Sequence, residues 1–196
     1  MMEIQSITLT GRLVRLEPLA EAHILDLVAV GLDESLWQYL SLGPIRTEPE
    51  MHDYVQTLLE RRDKGFEFPF AVILLESNKA IGVTRYMDIQ REHHTLEIGT
   101  WYGLAYQRTG VNTESKYLLL QHAFERLCCI RVTLKTDILN IHSQRAIERL
   151  GAVKEGVLRN HMLRRDGTKR DSVMYSIIDT DWPRVKALLE EKMRVH

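Results

Sequence analysis

Between residues 95 and 127 the hydropathic period switches from two to about 3.6 across one short polar loop, and this switch constrains the fold most. Thr95 to Tyr102 alternates as a strand, and residues 112–127 read as an amphipathic helix. Between them lies Tyr106-Gln107-Arg108-Thr109-Gly110-Val111-Asn112-Thr113-Glu114. A loop feeding a helix N-terminus presents unpaired backbone N–H groups and the positive end of the helix dipole. Both favour an anion, above all a phosphate. Gly110 admits close approach of a ligand to the backbone, Asn112 reads as the helix N-cap, and Arg108 supplies a fixed charge suited to a diphosphate. The plain alternative is a tight turn followed by a capped helix. No G-x-x-x-x-G-K-[ST] run occurs, so the sequence excludes a P-loop hydrolase.

Elsewhere the elements are short and alternate in type. Residues 7–16 read as one strand, with Leu9, Leu13 and Leu16 as its apolar members. Pro18 opens a helix whose apolar members are Leu19, Ala22, Leu25 or Asp26, and Ala29, and a short helical stretch covers 33–40. Thr47 caps a helix running to about Lys64 and stopped by Gly65. Phe66, Phe68, Phe70, Val72 and Leu74 recur every second residue as a strand, and 80–87 returns antiparallel to it. Further on come a strand at 131–137, a helix at 141–150 closed by Gly151, strands near 152–164 and 169–178 joined by Asp166-Gly167, and a last helix from Trp182 to about 193. This order predicts one α/β domain over residues 1–196, its sheet built with both hairpins and crossover helices.

Composition narrows the function. The 196 residues carry 26 Lys plus Arg against 27 Asp plus Glu, a balance that argues against a general nucleic-acid or membrane-surface binder. No apolar run reaches the roughly 20 residues needed to span a bilayer, and residues 1–5 have no signal-peptide character. The two cysteines, Cys128 and Cys129, are neighbours and read as reduced thiols, which points to the cytoplasm. The pair His93-His94 lacks ligand spacing, so no metal is expected.

A second constellation is Asn140-Ile141-His142-Ser143, leading to Ile147 and Arg149-Leu150-Gly151-Ala152. Asn140 follows a strand and starts a helix, and Ser143 shares a face with Ile147 and Leu150. By itself Ser143 is either a buried hydrogen-bond partner or a site residue.

Together, Gln107-x-x-Gly110-x-Asn112 after a strand, Asn140-x-x-Ser143 and Arg149-Leu150-Gly151-Ala152 resemble the GNAT N-acetyltransferase superfamily, in its Rim-type, ribosomal-protein N-acetyltransferase-like branch. The resemblance runs from Leu13-Val14-Arg15-Leu16-Glu17-Pro18-Leu19 to the strand ending at Ile178. The chain departs from the family in having Asn112 where Gly or Ala is usual, and Ile147 where many members have Tyr. The resemblance implies a mixed, mostly antiparallel sheet of about seven strands, splayed in the middle and flanked by helices. It implies acetyl-CoA as cosubstrate and a primary amine of a peptide N-terminus or small molecule as acceptor. The diphosphate would lie on Gln107, Arg108, Thr109, Gly110, Val111, Asn112 and Thr113. The pantetheine arm would pair with the backbone of Ile98, Gly99 and Thr100 and bind the amide of Asn140.

Direct transfer from thioester to amine needs a neutral amine, donors for the oxyanion and a proton for the departing thiolate. An α-amine is roughly ten per cent neutral at pH 7, a Lys ε-amine far less, so a base matters more for the second. Ser143 is the candidate donor to the sulfur. Glu97 is the candidate base: Leu96 and Ile98 take one face of their strand and Glu97 the other. Its alternative is an ion pair with a neighbouring cation, or solvent. His142 is a competing base. Phe66, Phe68, Trp101 and Tyr102 are expected in the core, and Arg145, Arg149, Arg164, Arg165, Lys169 and Arg170 on a solvated helix face and hairpin tip. The 165–167 hairpin would border either the acceptor groove or a homodimer contact. Two other functions fit the loop: a catalytically silent acyl-CoA-binding regulatory module, and a nucleotide binder unrelated to CoA.

Overall fold

A computed structural model describes residues 2–40 and 42–194. Eight strands form one open sheet: β1 (Leu9–Thr10), β2 (Val14–Pro18), β3 (Phe68–Leu74), β4 (Lys79–Gln90), β5 (Thr95–Tyr102), β6 (Arg131–Asp137), β7 (Val153–Leu163) and β8 (Lys169–Ile178). Their spatial order is β1-β2-β3-β4-β5-β6-β8-β7. Every neighbouring pair is antiparallel except β5 and β6. The helices are α1 (Ile24–Gly31), α2 (Glu48–Asp63), α3 (Val111–Glu125), α4 (Ile141–Arg149) and α5 (Trp182–Arg194).

The central strands are buried on both faces, whereas the edge strand β7 is largely exposed. Phe68, Phe70 and Val72 of β3 join Leu96, Ile98, Val132 and Leu134 against Leu119, Leu120, Ile147, Val185 and Leu189 of α3, α4 and α5. Ala71, Ile73, Val83 and Trp101 point the other way, against Ile24, Leu27, Met51, Val55 and Leu58 of α1 and α2. Period-two alternation therefore reports here which core a residue joins, not whether it is buried.

The expected elements from residue 47 onward are present. Thr47 accepts from the Glu50 N–H in a capping box, and Gly65 ends α2 at φ +74°. The Asp166-Gly167 hairpin joins β7 and β8, with Gly167 at φ +80°. The N-terminal region differs. The expected single strand is two, because the chain turns at Gly11 and Arg12, with the Gly11 N–H bonded to the Val14 carbonyl at 2.8 Å. This accounts for eight strands instead of seven. Pro18 ends β2 opposite Phe70 and opens no helix. The face of α1 is also not the expected one: Ile24 and Leu27 are buried, while Leu25 is 69% exposed. Phe66 is likewise 61% exposed, since β3 begins only at Phe68.

One long-range contact fixes the site's scaffold. The Glu114 carboxylate, in the first turn of α3, accepts the backbone N–H groups of Arg12, Leu13 and Val14 at 2.8, 2.7 and 2.8 Å. It ties the start of α3 to the N-terminal hairpin.

Candidate active site

The two central strands meet only briefly. β5 and β6 pair at Thr95–Arg131, Leu96–Val132 and Glu97–Thr133, then separate, although β5 continues to Tyr102 and β6 to Asp137. A cavity of about 680 Å³ opens into the wedge, within the range that holds an organic ligand. Glu97, Ile98, Gly99 and Thr100 line it from β5, Leu134, Lys135 and Thr136 from β6, and Asn140, His142 and Ser143 from the start of α4.

At one mouth stands the N-terminus of α3. Gly110, at φ +85°, is its N-cap, and no side chain caps the first turn. Arg108 is also left-handed, at φ +63°. This corrects the assignment of the cap to Asn112, which lies inside the helix at its second position and lines the cavity. The first-turn N–H groups therefore lack both a side-chain cap and an intrahelical partner. Gln107 and Arg108 line the cavity too. Thr109 braces the loop through a 2.7 Å bond to the Tyr106 carbonyl. Val111 turns its side chain into the core, and Thr113 is buried towards the N-terminal hairpin, so each offers the cavity its backbone at most.

Asn140 caps α4, its Oδ1 accepting from the Ser143 N–H at 3.0 Å. That bond leaves the Asn140 side-chain NH₂ group available to a ligand. His142 is exposed, and its Nε2 accepts from Arg108 Nε at 3.3 Å, which places it beside the α3 mouth.

Glu97 lies at the apex of the wedge, where pairing stops. It is 4% exposed and bonds Lys135 Nζ at 2.7 Å. Burial raises its pKa and outweighs the opposing pull of Lys135. The expected alternative of an ion pair is present, with Lys135, and the same carboxylate lines the cavity. At Gly99, two residues on, a Cβ would stand 2.8 Å from Met87 Sδ, so a side chain there would require Met87 to shift.

The far wall comes from the segment after α1. A 3₁₀ turn over Glu34–Trp37 is pinned by Trp37, whose Nε1 donates to the Gly31 carbonyl at 2.8 Å. Trp37 packs on Trp101 at 5.1 Å between ring centres, and Trp101 Nε1 donates to the Tyr54 hydroxyl at 2.9 Å. Trp101 and Tyr102 are buried as expected, and each also contributes to the cavity wall.

Several ionic residues of the site escaped the sequence reading. Lys116 of α3 is buried, lines the cavity and donates to Thr100 Oγ1. Burial with no anion beside it pulls its pKa down to about 7. Arg85 faces the buried Glu67 at 3.0 Å, and Arg61 holds the same carboxylate at 2.7 Å. Arg164 and Arg170 are not a solvated hairpin tip. Arg164 grips the buried Asp137 in a fork of 2.7 and 2.8 Å, and Arg170 is itself buried. Burial works against the Asp137 charge, yet Arg164 and the Leu139 N–H hold its carboxyl below the ordinary range.

The family model for the acetyltransferase (GNAT) domain matches residues 13–153. The chain belongs to the GNAT acetyltransferase family. By that membership it is an N-acetyltransferase, of a family that uses acetyl-CoA. It is 24% identical over 150 residues, 76% of this chain and 84% of the relative, to p20 of Bacillus licheniformis, named as an N-acetyltransferase. Among solved structures it resembles a protein described as an acetyltransferase from T. thermophilus, with 38% identity, a TM-score of 0.89 and coverage of 97% of this chain and 99% of that one. It shares its fold with Mycobacterium smegmatis RimJ, solved in complex with CoA-disulfide, at 18% identity, a TM-score of 0.83 and 96% coverage of both chains. Among the described residues no cluster has metal-ligand character, and no helix is long and apolar enough to cross a membrane.

Proposed function

We propose that the protein moves an acetyl group directly from acetyl-CoA to the primary amine of a small molecule or a peptide N-terminus. The observation that carries this reading is the wedge between β5 and β6. One cavity receives both an uncapped helix N-terminus and a buried carboxylate of raised pKa.

Acetyl-CoA supplies the activated thioester, and the residues present fit it. The backbone N–H groups of Val111, Asn112 and Thr113 would hold the diphosphate, in the turn formed by Gln107, Arg108, Thr109 and Gly110. Beyond Glu97, the freed edge of Ile98, Gly99 and Thr100 leaves backbone polar groups unpaired by β6, and these would satisfy the amides of the pantetheine arm together with the side chain of Asn140. Glu97, held as a carboxylate of raised proton affinity, accepts the proton of the incoming ammonium, directly or through a water. Ser143 donates a hydrogen bond to the departing sulfur from the start of α4. Lys135 keeps Glu97 oriented. His142, engaged by Arg108, is left to the anion-binding mouth.

The acceptor enters along the wall built by Trp37, Tyr39 and Leu40. The two adjacent free thiols, Cys128 and Cys129, suit a reducing cytoplasm. The test is CoA-thiol release with a panel of amines, using Glu97→Gln and Ser143→Ala. Turnover that neither substitution slows, with any amine, would overturn these roles.

A further inference from the structure

The cavity is much more positive than the chain. The sequence as a whole has a formal charge of −1. Yet among the described residues Glu97 is the one carboxylate that lines the cavity, against several Lys and Arg side chains. Apart from Lys116, whose ammonium burial pulls down to a pKa of about 7, those cations fall into two groups. Arg108 leads into the N-terminus of α3, where a diphosphate would account for it, while Arg145 and Arg149 lie along α4, Arg149 as its last residue. Arg85, Lys135 and Arg170 come from the sheet itself, on β4, β6 and β8, to either side of the wedge.

Two of these three have a carboxylate to answer them. Lys135 is bonded to Glu97, and Arg85 faces Glu67. Arg170 has only a distant share of one, the Asp137 that Arg164 holds. The Asp137 carboxylate is already taken by the Arg164 fork and by the Leu139 N–H at 2.9 Å. Arg170 Nε stops 3.9 Å from Asp137 Oδ2, too far for a hydrogen bond, and is buried without a hydrogen-bond partner among the described residues. Among the described residues its one hydrogen-bond acceptor is the Tyr39 carbonyl, at 3.2 Å. A guanidinium carries five N–H donors, and Arg170 is 7% exposed. A cation this poorly satisfied is costly to bury unless something else completes it.

Its position says what that would be. Tyr39 belongs to the wall by which the acceptor enters. Arg170 is also close enough to Glu97 for the two charges to influence one another. An anion at Arg170 would thus sit a short distance from the base that receives the amine proton. Arginine's planar fork suits a carboxylate.

We propose that the acceptor carries a carboxylate beside its amine, with Arg170 binding the carboxylate while Glu97 serves the amine. An α-amino acid and a peptide N-terminus followed by an acidic residue share this chemistry. The inference rests on the acetyltransferase reading above and adds the substrate class.

The test compares matched acceptors: free amino acids against their carboxamides, and tripeptide amides with Asp or Glu second against the same peptides with Asn or Gln second. The acidic member of at least one series is expected to be favoured by about tenfold or more in kcat/KM, mainly through KM. The favoured series identifies the source of the carboxylate. In Arg170→Met the acid-to-neutral ratio falls towards one, and Arg170→Lys restores part of it. No preference for the acid in wild type in either series, or a ratio that Arg170→Met leaves intact, overturns the proposal. The wild-type comparison stands even if Arg170→Met folds poorly. Calorimetry of acetyl-CoA binding separates the two levels. Absence of binding sinks the acetyltransferase reading, whereas binding and turnover without acid preference sinks only this one.

Discussion

Glu114 and Glu97 are each 4% exposed, yet they sit in regions with opposite demands. At the N-terminal hairpin, Glu114 receives three backbone N–H groups and lacks nothing. At the apex of the wedge, Glu97 has one ammonium partner, and burial keeps its proton affinity high. Equal burial of one residue type therefore produces a staple in one place and, in the proposed mechanism, a proton acceptor in the other. The number of satisfied lone pairs separates the two roles, and depth does not.

Substitutions can break that contrast. The largest effect is expected at the hairpin. Glu114→Ala strands one buried and two partly buried N–H groups and should cost about 3–5 kcal/mol, lowering Tm by about 10 °C. Denaturant unfolding would measure it. At the apex, Glu97→Gln keeps an acceptor for Lys135, so Tm should move by no more than about 3 °C while kcat falls about 10²-fold. In wild type, activity should rise with pH as Glu97 ionises through its raised pKa, and the variant should lose that limb. A Glu97 variant as unstable as the Glu114 one, with its pH profile intact, would erase the distinction. Ser143→Ala should slow turnover by about tenfold without changing stability.

The smallest effect sharpens the comparison with a buried base. Lys116 has a folded pKa of about 7 against an ordinary 10.5. Between those values the unfolded chain binds the extra proton, so the stability of wild type rises with pH through that window. Lys116→Met should raise Tm by about 2–4 °C at pH 7 and below, and the advantage should shrink towards pH 10.5. Thermal melts across that range would check it. An advantage that stays constant with pH would mean that Lys116 does not lose its proton on folding.

What the sequence revealed divides along the same lines. β5, β6, the start of α4 and the Asp-Gly hairpin were legible because local rules decide them: alternation, an Asn N-cap and a turn that needs positive φ. The N-terminal hairpin was not, since two residues at Gly11 and Arg12 suffice to reverse the chain and no apolar pattern marks them. The Asp137 cluster was illegible for a different reason. Its partners Arg164 and Arg170 lie on another hairpin, so the sequence shows only a charged tip. Lys116 did leave a signal. It stands three and four residues before the buried Leu119 and Leu120, a cation on the apolar stripe of its helix.

The three-residue seam between β5 and β6 has a consequence for how the two halves of the sheet are joined. Beyond Glu97 and Thr133 the protein supplies no rungs of its own, so a ligand lying in the gap becomes a surrogate strand. Occupancy then acts as mortar as well as cargo. Amide protons along the freed edge of residues 98–102 should trade with deuterium in the empty protein and be shielded once the gap is filled.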